Sequence, residues 1–173
     1  MNVFFLDNNA KLAAQYQCDR HVVKMILETA QLLSTAHREI DGETWADANF
    51  LYKSTHKNHP SAVWIRTSAQ HYMWGYEHMI HLGEEYRYRY GKTHKTIEKL
   101  GRTLKRWPDN LRSSGFVQPP QCMPDDYKAD NAIIGYRNYY ALDKASNDWF
   151  CYNKNRSAPS FIQEIRNGNK VHL

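Results

Sequence analysis

Apolar positions recur along this chain at the three- and four-residue spacing of helices rather than the alternation of strands. The strongest run is residues 19–37, DRHVVKMILETAQLLSTAH, where Val22, Ile26, Ala30, Leu33 and Ala36 form one apolar stripe. Val23, Leu27 and Leu32 widen it on one side, Met25 and Thr29 on the other. A second stripe of the same period, His21, Lys24, Glu28, Gln31 and Thr35, is polar throughout. A helix apolar around most of its circumference belongs at the centre of a fold, and its polar stripe must face solvent or a site. Asp19 is expected to cap its first turn and Asp41-Gly42 to end it near residues 37–40.

Elsewhere the pattern is weaker. Residues 3–7, VFFLD, read as an extended segment or a helix start closed by Asp7-Asn8-Asn9, and residues 10–17 as one or two helical turns. A short helix is expected over 45–52 and a polar connection over 54–60. A long helix over 61–90 should start at Pro60, bury Ile65, Ala69, Tyr72, Tyr76, Met79 and Gly83, and end at Gly91. Helices are also expected over 96–107, over 126–144 (burying Ala129, Ile133, Tyr136 or Arg137, and Tyr140), and as a short piece over 159–166. Between them residues 108–124, with four prolines and a glycine, form a long loop of the kind that is usually functional. The predicted fold is mainly α: a compact single-domain helical bundle spanning residues 1–173, with long loops and little or no strand.

Composition narrows the setting. There is no apolar run of about 20 residues and no basic, greasy leader, so no membrane partner is expected and the location reads as cytoplasmic, in a bacterial or phage-infected cell. Three cysteines without CxxC spacing argue for free thiols. Charge is uneven: 9 Lys/Arg face 10 Asp/Glu through residue 91, whereas 14 face 8 after it. A basic half interleaved with some of the 12 tyrosines suits DNA or nucleotides as partner. Arg87, Arg89, Lys92, Arg102, Lys105, Arg106, Lys154 and Arg156 are the expected phosphate-binding residues.

Motif chemistry is informative mainly by elimination. The nine histidines show no HExxH, no His-Asp pair and no Glu three residues before a His, so no metal site and no cofactor are expected. Neither GxGxxG, a phosphate-binding lysine loop nor GxSxG occurs. What remains is the polar stripe of residues 19–37. Chemistry that uses a carboxylate (Glu28), an imidazole (His21) and an amine (Lys24) without a metal includes base excision through a sugar Schiff base. A plain Lys24–Glu28 surface ion pair is the structural alternative.

The spacing Asp19-x-His21-x6-Glu28 near the N-terminus resembles the first helix of the pyrimidine-dimer DNA glycosylases, the small all-α phage endonuclease V type. His59-Pro60-Ser61-Ala62 opening a helix that closes on Arg89-Tyr90-Gly91, Met123-Pro124-Asp125 before the last helix, and the aromatic, basic tail from Trp149 are similar to further family features. The resemblance implies Glu28 as catalytic carboxylate and residue 2, here Asn2, at the position whose amine is the family's nucleophile. It also implies an aromatic tail that contacts damaged DNA, with Gln31, Asp19, Tyr136, Trp149 and Tyr152 as substrate-binding candidates. The chain departs from the family by carrying Met1-Asn2 in place of a processed Thr, and Leu27 and Gln31 in place of arginines. The expectation is a metal-independent DNA glycosylase, a hydrolase with AP-lyase activity as a second step. A nucleotide- or base-modifying enzyme on the same scaffold and a non-catalytic nucleic-acid-binding protein are the alternatives.

Overall fold

The structure, a computed structural model, describes residues 1–168. The described residues are mainly helical and contain no strand. Helix α1 spans Ala10–Gln15, α2 Asp19–Asp41, α3 Glu43–Ala48, α4 Pro60–Ile65, α5 Ala69–Tyr90, α6 Lys95–Leu100, α7 Ala132–Asn138 and α8 Ser160–Arg166.

The apolar stripe of α2 organises the core. Val22, Ile26, Ala30, Leu33 and Ala36 are completely buried, because α5 packs along the helix and α4 covers part of it. The helix stops at Gly42, whose φ of 85° lies in the left-handed region that suits glycine. Asp19 is not the N-cap. Cys18 holds that position in an extended conformation, and Asp19 is the first helical residue, its carboxylate turned inward to Arg89.

The single helix expected over 61–90 is two helices. Ser68 lies between them with φ −152° and ψ 143°, and its Oγ accepts from the Gln70 and Ser114 amides and donates to the Gly115 carbonyl. Together with the Ala69 amide on the Arg112 carbonyl, this docks the 108–124 loop onto the break. Further along the loop, Val117 accepts from Trp64 Nε1 and donates its amide to His71 Nε2. The loop is therefore hydrogen-bonded down its length although it carries no helix.

The remaining elements differ in extent from expectation. The short helix starts at Glu43 and ends at Ala48, ahead of the expected 45–52. Helix α6 stops at Leu100, followed by a 3-10 turn at Thr103–Lys105. The last long helix begins only at Ala132, capped by the Asn131 side chain, and Ala129, expected in the core, is half-buried before it. It then widens into a π turn at Tyr139–Asp143. Such turns disturb side-chain register and recur at functional sites.

Gly135 in α7 shows how tightly the end of the loop is seated. A Cβ there would collide with Gln121, whose amide both donates to the Ala129 carbonyl and accepts the Ala129 amide. Gly135→Ala gains about 1 kcal/mol of helix propensity but displaces Gln121 from two hydrogen bonds. The expected outcome is a net loss of about 1–2 kcal/mol, read as a lower urea midpoint at unchanged slope.

Candidate functional site

Four segments distant in sequence converge at the first half of α2. They are the N-terminal residues, α2 itself, the end of the 108–124 loop at Cys122, and the π turn with Lys144 and Trp149 after it. Between them lies a cavity of about 290 Å³. Phe4, Tyr139 and Trp149 form aromatic walls, Lys24, Glu28 and Lys144 supply charge, and Met1, Asn2 and Cys122 close one side. The volume sits near the lower end of the ligand-pocket range, the scale of a base or nucleoside.

Glu28 and Lys24 are 3.1 Å apart, one helical turn from each other. Their exposures differ: the Lys24 side chain is 62% exposed and that of Glu28 15%. The carboxylate thus sits inside the cavity wall with the amine at its rim. With its lysine at the surface, an i,i+4 pair of this kind contributes about 0.3–0.5 kcal/mol to stability, so fold stability gives little reason for Glu28 to be sheltered.

His21 is buried deeper. Its ring stacks on Phe4 at 4.5 Å and lies 5.2 Å from the Trp149 ring, and its Nδ1 is 2.9 Å from the Tyr140 hydroxyl. Burial, with Lys24, Lys144 and Arg20 nearby, pushes its pKa down to about 3. The ring is neutral at physiological pH. Arg20, exposed and outside the cavity lining, lies over the Trp149 ring at 5.0 Å.

The N-terminal wall is held by Asn2, whose Oδ1 accepts from the Val3 and Phe4 amides while its Nδ2 donates to the Cys122 carbonyl. Phe4 itself has φ +43°, an uncommon conformation for a bulky residue, and it is this strained residue that presses on His21. Asn2 is therefore fully engaged through its side chain in shaping the wall.

The other substrate-binding candidates do not gather here. Asp19 is buried, pairing with Arg89 at 2.9 Å and accepting the Asn153 amide at 2.7 Å, which makes it an internal anchor for the tail. Tyr136 is completely buried and donates to the Pro120 carbonyl, and Tyr152 donates to the Tyr16 carbonyl. Gln31 is half-buried one turn beyond Glu28, outside the cavity lining. Of that group only Trp149 reaches the pocket.

The expected phosphate surface is also revised. Arg89 is wholly internal, bonded to Asp19, Glu85 and the Gln15 carbonyl, and Arg156 is committed to both oxygens of Glu85. Arg87, Lys92 and Lys154 are exposed. Arg102, Lys105 and Arg106 are exposed too, but Arg106 is paired with Asp109, and its carbonyl receives His37 near the far end of α2. Asp19, at Arg89, and His37, at Arg106, are separated by 18 helical residues, about 27 Å of axis, so the cations form two groups rather than one patch. Sequence reasoning missed Lys144, Phe4, Tyr139 and Cys122 at the cavity, and Arg20 on the Trp149 ring. Only Arg20, adjacent to His21 on the same helix, carried a local signal.

Among the described residues no three His, Cys, Asp or Glu side chains come together as a metal-binding group, and no helix is long and apolar enough to cross a membrane. No family model matches the chain, and comparison with curated proteins and with solved structures gives no significant match.

Two buried neutral histidines set an acid limit on stability. His21 and the completely buried His78 both have pKa values pushed down to about 3, chiefly by burial. The unfolded chain binds these protons near the ordinary value of about 6.5, so stability is full above that pH and falls as pH drops towards 3. Each contributes a slope of up to about 1.4 kcal/mol per pH unit in that window. Urea titrations between about pH 7 and 4 should show uptake of these two protons on unfolding, with more from His37, His59, His71 and His94, whose pKa values burial also lowers. A pH-independent midpoint there would contradict the buried neutral assignment.

Proposed function

We propose that this chain is a metal-independent DNA glycosylase acting on a damaged or modified base. The observation that carries the reading is the grouping of Glu28, Lys24 and neutral His21 in one base-sized, aromatic-walled cavity with cations at its rim. An extruded base stacks between aromatic side chains, and phosphates on either side of it meet Arg20, Lys24 and Lys144. As the N-glycosidic bond breaks, its electron pair leaves with the base and positive charge develops at the sugar C1′, which the Glu28 carboxylate stabilises. Water then adds to C1′, gives its proton to Glu28, and the departing base is protonated from solvent. Where Lys24, after giving a proton to Glu28, takes the place of water, its nitrogen bonds to C1′, and cleavage of the C1′–O4′ bond, with a second nitrogen proton lost and O4′ protonated, yields a protonated imine, the entry to AP-lyase chemistry.

The test is base release in excess EDTA. Duplexes carrying pyrimidine dimers, deaminated, oxidised or alkylated bases are incubated with the protein, and free base is measured by chromatography, with borohydride added in parallel to trap an imine. The expected result is base released from at least one duplex, undiminished by chelation. Binding without release from any duplex favours the non-catalytic alternative, and conversion of a mononucleotide alone favours a nucleotide-modifying enzyme.

A further inference from the structure

We infer that Tyr140 is a positioning residue that locks His21 in one tautomer, so that His21 presents a fixed neutral Nε2–H to the cavity and reads a hydrogen-bond acceptor on the substrate. The identity of that substrate rests on the base-excision reading; the tautomer does not.

The protons around one buried hydroxyl decide the tautomer. The Cys18 backbone amide, which can only donate, lies 2.8 Å from Tyr140 Oη. The same oxygen is 2.9 Å from His21 Nδ1. Tyr140 is completely buried, so its single proton needs an acceptor inside the protein. Nδ1 is that acceptor. If Nδ1 carried a hydrogen instead, the Tyr140 oxygen would accept twice and its own proton would have to turn elsewhere. The Tyr152 hydroxyl and the Cys18 thiol also lie near Tyr140, but the 2.9 Å contact is to Nδ1, and an imidazole nitrogen is a stronger acceptor than a thiol or a phenol oxygen. An unmade bond to a buried donor costs about 1–3 kcal/mol, enough to select the first arrangement.

With Nδ1 accepting, the neutral ring carries its hydrogen on Nε2. Nε2 has no partner among the described residues and is not among the buried polar atoms left without one, so it opens to the cavity that His21 lines. Phe4, Tyr140 and Trp149 hold the ring plane on three sides. The charged groups around it are Arg20, Lys24 and Glu28 from α2 and Lys144 after the π turn, three of the four being cations that oppose a second proton. His21 therefore donates a hydrogen bond across the neutral range and does not act as an acid or base. In a cavity that takes an extruded nucleotide, the acceptor is an oxygen, either a carbonyl of the base or the ring oxygen of deoxyribose.

Protein labelled with 15N at histidine reads the tautomer directly in the free state. The expected spectrum for His21 is a bare Nδ1 and a protonated Nε2, unchanged from about pH 8 to 5, and mixed tautomers in Tyr140→Phe. A wild-type Nδ1–H signal overturns the assignment while leaving base excision standing. Binding is then measured on three duplexes: one with the damaged base, one with a tetrahydrofuran abasic analogue, and one with its cyclopentane counterpart. His21→Asn, which moves the amide to the Nδ1 position, should lose about 10- to 100-fold in affinity, and His21→Gln, with its amide near Nε2, should recover most of it. A loss on tetrahydrofuran but not cyclopentane places the acceptor on the sugar, and a loss only where a base is present places it on the base. No loss on any duplex overturns the reading role, and failure to bind all three overturns base excision and the acceptor assignment together.

Discussion

Glu28→Gln should give a protein that folds and binds its substrate as before but turns over about 10² to 10⁴ times more slowly. The amide keeps the shape of the side chain inside the cavity and keeps a hydrogen bond to offer. It loses the charge that would stabilise C1′ and the basicity that would accept a proton from water. Little stability is at risk, because the partner Lys24 is 62% exposed and the ion pair is screened. The decisive measurement is a single-turnover rate beside a urea melt. If the variant turns over at the wild-type rate, Glu28 is a structural partner of Lys24 and the catalytic reading of this cavity is lost.

Arg89 should show the opposite profile. Its guanidinium is fully buried, bonded to Asp19 at 2.9 Å and Glu85 at 2.7 Å, and it ties the end of α5 to the start of α2. Arg89→Met leaves two buried carboxylates, Asp19 keeping the Asn153 amide and the Cys151 thiol as donors and Glu85 keeping Arg156. Removing one member of such a network costs about 3–5 kcal/mol, a shift on the order of 10 °C in melting temperature for a chain of this size. Arg89→Lys should rescue poorly, since one ammonium cannot span Asp19, Glu85 and the Gln15 carbonyl as a planar fork does. A variant with wild-type melting and weakened DNA affinity would instead return Arg89 to the phosphate surface.

The contrast between Arg89 and Arg87 shows where reading the chain alone stops. Both lie in the run EYRYRYGK at the end of α5, and both looked like surface cations. Two residues apart on a helix is a rotation of about 200°, so only one of them can face outward. Which one faces inward is set by Asp19, 70 positions earlier in the chain, and nothing local announces it.

Periodicity is a local property, and what it controls was legible. Val22, Ile26, Ala30, Leu33 and Ala36 share a face whatever surrounds them, and seven residues make two turns, so His21 and Glu28 had to project to one side of α2. The ends of α2 and α5 were equally local, because Gly42 and Gly91 accept a positive φ at little cost. Tertiary structure decided the rest. The break at Ser68 interrupts an unbroken helical pattern because the 108–124 loop supplies better partners for its hydroxyl than another turn would. The π turn places Tyr139, Tyr140 and Lys144 against residues more than a hundred positions away, turning a polar helix face into a cavity with walls. Chemical character was written residue by residue along α2, but the enclosure that lets those residues act on a substrate exists only once distant segments have packed around them.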